Sequence, residues 1–132
     1  MNYIKRTSTG IVLINNQSQT PINKGLTQYL NESCIKHLST LKGRQKAAKV
    51  LLDKTANLPI YVNETCLLFP NQSLRRIDTV LINYFSIYDI IRIDGRTKIV
   101  FNDLQTLFLP QTETQLKNQF RACKKLLEHT IV

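Results

Sequence analysis

The sequence predicts an α+β fold: a mostly antiparallel sheet with a mid-chain helix and a C-terminal amphipathic, basic helix. Three observations lead there. From Leu58 to Leu109, short apolar runs alternate with turn residues, the pattern of consecutive strands. Between Gly43 and Lys54, and again after Pro110, apolar residues recur at helical spacing instead. The chain has 132 residues and is 42% hydrophobic, enough to bury a real core in one domain spanning residues 1–132.

The elements follow in chain order. Thr9 to Ile14 reads as a strand opened by Gly10, with polar residues after it. A loop is expected through Pro21 and Gly25. Leu26 to Leu41 fits neither period, because Tyr29, Leu30, Ile35 and Leu38 lie on no single face. Within Gly43 to Lys54, Ala47, Ala48, Leu51 and Leu52 form an apolar helical face, and Lys42, Lys46 and Lys49 form a basic stripe. That helix should stop before Pro59, since the residue ahead of a proline avoids helical angles.

Pro59 to Val62 and Thr65 to Phe69 then flank an Asn63–Glu64 turn, and Phe69-Pro70-Asn71 ends the second strand. Ile77 to Tyr84 alternates imperfectly, as expected of a strand buried on both faces. Ile87 to Ile93 meets Arg96 to Phe101 across Asp94-Gly95, a strong hairpin signal. Asn102-Asp103 turns into Leu104 to Leu109. The expectation is a meander of up to six strands. After Pro110, Thr112-Glu113-Thr114-Gln115 fits a capping box. Leu116, Phe120, Cys123 and Leu127 form the core face of the final helix, beside Lys117, Arg121, Lys124 and Lys125.

The charge is strongly uneven. Eighteen Lys and Arg oppose nine Asp and Glu, for a net charge of +9 and a pI near 9.7. Lys36 to Lys54 holds six of the cations and one acid, and Lys117 to Lys125 holds four and none, so the remaining eight cations balance the remaining eight acids. The excess therefore sits in two segments read as largely helical. A polyanion is the partner this favours, and nucleic acid the first candidate. Binding through such stripes should weaken steeply with salt. A third basic point, Arg75-Arg76, lies in a loop between two strands. Paired arginines there suit a narrow A·T-rich minor groove, where the negative potential is deepest.

No apolar run approaches the roughly 20 residues of a membrane span. The N-terminus lacks the apolar core of a secretory signal, so a cytoplasmic protein with no membrane partner is expected. Cys34, Cys66 and Cys123 are widely spaced and odd in number, which fits reduced thiols.

Several segments resemble the competence transcription factor (ComK) family. Gly43-Arg44-Gln45-Lys46-Ala47 is similar to its Gly-Arg-x-Lys-Ala element. Leu58-Pro59-Ile60-Tyr61-Val62 resembles its Pro-Ile-x-Val strand, and Leu67 to Ser73 its Phe-Pro-Thr-x-Ser turn. Ile99 to Asn102, Leu109-Pro110 and Gln119-Phe120-Arg121 resemble later elements, in the same order. The likeness runs from about Glu32 to Leu126. Asn71 stands where the family usually has Thr, Leu81-Ile82 where it has Trp-Ile, and the chain contains no Trp, marking a divergent member. Longer relatives carry a tail recognised by a proteolytic adaptor, and the end of this chain at Val132 leaves that control open.

The resemblance implies an activator of DNA-uptake genes that binds paired A·T-rich boxes in duplex DNA through the minor groove, as homodimers assembling into a tetramer. It places Arg44, Lys46 and Arg121 at matched positions. Contact with RNA polymerase stays open. The expected phosphate-binding residues are Lys42, Arg44, Lys46, Lys49, Arg121, Lys124 and Lys125, and the expected groove residues are Arg75 and Arg76.

Catalytic readings are weaker. Cys34 and His37 have C-x-x-H spacing without a second close ligand pair, so zinc is not expected, nor any other metal or cofactor. No nucleophile motif, P-loop or dinucleotide fingerprint occurs, and an enzyme is not expected. A metal-dependent nuclease would need clustered carboxylates. An RNA-binding module is the alternative among binding proteins, with Tyr61, Tyr84, Phe85, Tyr88 and Phe101 as stacking candidates, although core packing suits most of them better.

Overall fold

The structure, a computed structural model, describes residues 1–16 and 18–130; Val132, where the chain ends, lies outside the described residues. The chain order is β1 (Tyr3–Thr7), β2 (Gly10–Ile14), β3 (Gln19–Ile22), α1 (Leu26–Ile35), α2 (Leu41–Leu52), β4 (Ile60–Asn63), β5 (Cys66–Pro70) and β6 (Val80–Asn83). After a 3-10 turn at Tyr84–Ser86 come β7 (Ile87–Ile93), β8 (Arg96–Phe101), β9 (Thr106–Leu109) and α3 (Glu113–Glu128). The fold is α+β, its strand pairings are antiparallel, and a helix closes the chain, as the sequence predicts.

The six strands expected after Leu58 are β4 to β9, but they do not make one meander. The first three join the N-terminal strands in a six-stranded sheet of order β3-β2-β1-β6-β5-β4, and β7-β8-β9 form a separate sheet. The break falls at the 3-10 turn. Asn83, buried at the end of β6, accepts a hydrogen bond from the Phe85 N–H and caps that turn. It also accepts from the Leu67 N–H and donates to the Met1 and Thr65 carbonyls. One amide thus steers the chain out of the first sheet while holding its β5–β6 register.

The hinge of the large sheet is β1, which pairs with both β2 and β6: Tyr3 faces Ile14 on one side and Ile82 on the other. Strand β1 leaves little pattern in the sequence, because only Tyr3 and Ile4 carry its burial and they point to opposite faces. Strand β3 forms where the sequence predicts a loop. Pro21 is tolerated there because β3 is an edge strand and needs no second row of hydrogen bonds. Gly10 opens β2 because a Cβ at that position would sit 2.2 Å from the Ile22 carbonyl oxygen.

The segment of mixed periodicity is α1. Leu26, Leu30 and Cys34 are buried at four-residue spacing, but Ile35 and Leu38, which are 52% and 98% exposed, obscure the pattern. Helix α2 is capped by Thr40, whose Oγ1 accepts from the Gly43 N–H at 2.9 Å, and it ends at Asp53 in the left-handed region, ahead of Pro59 as expected. Of its expected apolar face, Ala48 and Leu52 are buried, whereas Ala47 and Leu51 are exposed.

Strand alternation divides the core between the two faces of the large sheet. Tyr3, Val12, Ile14, Leu67, Phe69 and Ile82 pack with Leu116, Cys123 and Leu126 of α3 and with Ile99, Phe101 and Leu109 of the small sheet. Ile4, Ile11, Ile60, Val62, Leu68 and Leu81 pack against α1. Helix α2 belongs to both layers: Leu41 joins the α1 cluster, and Ala48 and Leu52 join the α3 cluster. It therefore runs past the edge strand β4 and covers it, with α1 and α3 as its other neighbours.

Candidate nucleic-acid interface

Helix α2 presents Lys42, Lys46 and Lys49 to solvent. The ion pairs among the described residues are Lys24–Glu32, Arg76–Asp78 and Lys117–Glu113, so none neutralises the α2 stripe. Arg44 is placed differently. It is half-buried, its guanidinium lies 5.2 Å from the centroid of the Tyr61 ring on β4, and its buried Nε has no acceptor. The stacking fastens α2 to the sheet edge by a cation–π contact. Lys54, just past the helix, also serves the fold: its Nζ donates to Gln119 Oε1 at 2.6 Å, and burial lowers its pKa.

The capping box of α3 forms as expected, with reciprocal bonds between Thr112 and Gln115. Lys117 pairs with Glu113 one turn earlier, at 2.6 Å. Arg121 donates to Asn118 Oδ1 on its own helix, and Lys124 and Lys125 are exposed. Helix α3 contacts α2, β5 and β7, so the two basic helices are neighbours.

The third basic point is an exposed turn between β5 and β6, and it is tightly held. The Asn71 N–H donates to the Val80 carbonyl and the Val80 N–H to Asn71 Oδ1, closing its base. The Thr79 hydroxyl donates to the Ser73 carbonyl, as does the Arg76 N–H. From β1, the Arg6 guanidinium donates to the Arg76 and Leu74 carbonyls, both at 2.7 Å. On the other flank a chain of amides runs from Asn71 through Gln111 to Gln72, which donates to Asp78 at 2.8 Å. Thr97 anchors this chain to β8 through the Gln111 carbonyl. Arg75 and Arg76 stay exposed on this frame, with Arg76 Nε 3.4 Å from Asp78 Oδ1.

Between the turn and α3 lies an open groove of about 720 Å³, lined by Lys54, Asn71, Gln72, Arg76, Asn118 and Gln119 among others. It runs from the arginine turn to α3 and to Lys54 past the end of α2; the exposed cations Lys42, Lys46, Lys49, Arg121, Lys124 and Lys125 lie outside its walls. Sequence reasoning missed Arg6 and the amide chain. Arg6 acts on carbonyls about seventy positions away, for which no local pattern exists. The amides did leave a signal: Asn71-Gln72 directly follows Pro70, and Gln111 directly follows Pro110.

Of the stacking candidates for RNA, Phe101 is fully buried, Tyr61, Tyr84 and Phe85 are half-buried against the core, and Tyr88 is exposed. Among the described residues, no three His, Cys, Asp or Glu side chains gather as a metal site, and no helix is long and apolar enough to cross a membrane.

A family model described as ComK protein matches residues 2–130, wider than the stretch that carries the recognisable motifs. The chain belongs to the ComK family. The family comprises competence transcription factors, which bind DNA, and is not enzymatic. Within the ComK match, the Gly-Arg-x-Lys-Ala element opens α2, the Pro-Ile-x-Val element is β4, and the Phe-Pro turn leads into the arginine turn. Searches of curated proteins and of solved structures gave no match.

Proposed function

We propose that this chain binds A·T-rich duplex DNA sequence-selectively through the minor groove and activates transcription of competence genes. The observation that carries the reading is the Arg75–Arg76 turn, exposed at its side chains and pinned at its backbone by Arg6. A narrow A·T-rich minor groove draws in arginine because its negative potential is deep. A pre-organised turn presents that arginine with little entropy lost on binding.

The remaining cations supply sequence-independent attraction. Lys42, Lys46 and Lys49 on α2, and Arg121, Lys124 and Lys125 on α3, are exposed; in this reading they bind phosphate oxygens, each contact releasing condensed counterions. Arg44 divides its guanidinium between Tyr61 and that role. The reading is of binding alone, with no metal, cofactor or catalytic step. The protein acts as a dimer or tetramer on paired boxes, in the cytoplasm, and RNA polymerase is the partner through which activation would pass.

Competition with distamycin, which fills A·T minor grooves, tests the assignment. Displacement of the protein from an A·T-rich duplex supports it. Undiminished binding at saturating competitor rejects it in favour of major-groove or purely phosphate contact.

A further inference from the structure

We propose that Ile77 is an apolar wedge that enters a base step of the bound duplex beside the arginine pair; this rests on the minor-groove reading above. Ile77 is 81% exposed, sits directly after Arg75-Arg76, and belongs to neither hydrophobic cluster. Single exposed apolar residues are ordinary in proteins. What sets Ile77 apart from the exposed Leu38 and Val50 is its place directly beside the arginine pair on a held turn.

The backbone around it is held on both sides. Arg6 binds the carbonyls of Leu74 and Arg76, and the Thr79 N–H donates back to Arg76 at 3.3 Å. The side chain is thus carried on a fixed frame, and a fixed apolar tip loses little freedom when it is buried. The one acid beside it, Asp78, is engaged by Gln72 and Arg76, which tempers its repulsion of phosphate.

Cations and an apolar residue in direct succession suit the minor groove in a specific way. Arginines drawn towards the groove floor carry the isoleucine with them, and an apolar wedge between base pairs unstacks one step and bends the duplex. TA steps, frequent in A·T-rich DNA, are the easiest to open. The wedge would therefore add a second source of preference for A·T sequence, through deformability and without base hydrogen bonds.

The test uses the full chain and a duplex of paired A·T-rich boxes, with fluorophores at its ends and 2-aminopurine at a TA step. Wild-type protein should shorten the end-to-end distance and brighten the 2-aminopurine. Ile77→Ala should lose most of both signals and weaken binding about tenfold, the order of one apolar side chain left unburied. Its salt slope should be unchanged, and Ile77→Leu should restore both signals. Because Ile77 is exposed, the melting temperature should not move. Unchanged bending and fluorescence in Ile77→Ala, with A·T preference intact, overturn the wedge alone. Absence of A·T preference in the wild type overturns the minor-groove reading as well.

Discussion

Both ends of the Gln119 amide are engaged beneath α3. Its oxygen accepts from the Lys54 ammonium, and its nitrogen donates to the Asn57 and Pro70 carbonyls. Gln119→Leu should therefore cost about 2–3 kcal/mol in urea unfolding, because it leaves a half-buried ammonium and two carbonyls without partners. A midpoint within error of wild type would show that water replaces the amide freely. The exposed cations should behave quite differently. Replacing Arg75 and Arg76 by Ala should shrink the preference for A·T over G·C duplex. Replacing Lys124 and Lys125 should weaken all sequences alike and flatten the salt dependence, by about 0.9 in slope for each phosphate no longer neutralised. Equal losses of preference from both double variants would erase the division of labour. At this scale the exposure of Arg75 and Arg76, which stand in a loop, and of the lysine stripes, whose spacing is local, was legible in the sequence. It was not legible for Arg44 and Lys54, whose tasks depend on Tyr61 and Gln119 brought in from other elements.

Among the elements, α3 and the β7–β8 hairpin were the most readable. The capping box of α3 is written in four consecutive residues, and Asp94 and Gly95 both take the positive φ that a two-residue hairpin turn requires. Thr112→Ala should lower stability by about 1 kcal/mol by freeing a first-turn amide, with urea denaturation as the measurement. A change below a few tenths would mean that Gln115 alone suffices as a cap. Helix α1 was unreadable for a definite reason: its three core residues are spaced correctly, but Ile35 and Leu38 interrupt the stripe from outside the core. The Asn63–Glu64 turn was displaced by one residue, since Asn63 pairs with Cys66 through a bulge and the turn residues are Glu64 and Thr65.

For the whole molecule, the fold class followed from local patterns, whereas the partition into two sheets did not. It depends on Asn83 and on β1 bridging two hairpins, both long-range facts. Burial also gives the molecule a pH signature. Burial raises the pKa of the Cys34 and Cys123 thiols and of the Tyr3 and Tyr84 phenols, and pushes the Cys66 thiol up to about 11. A raised folded-state pKa contributes stability below the group's ordinary value that is lost as pH climbs through the shifted one. Lys54 runs the other way, its burial cost easing as it deprotonates. Five groups against one predict a falling urea midpoint from about pH 8 to about pH 11. The fall should shrink in Cys66→Ala, and a flat profile would contradict it.

The net charge of +9 supports any polyanion; the turn framed by Arg6 is what narrows the reading to a groove. The most direct measurement is a gel shift at fixed salt, comparing paired A·T-rich boxes, a G·C-rich duplex of equal length and an RNA of equal charge. Minor-groove recognition predicts the tightest binding to the A·T-rich boxes, with the other two reduced to the salt-sensitive level of phosphate contact alone. Equal affinity for all three would contradict it.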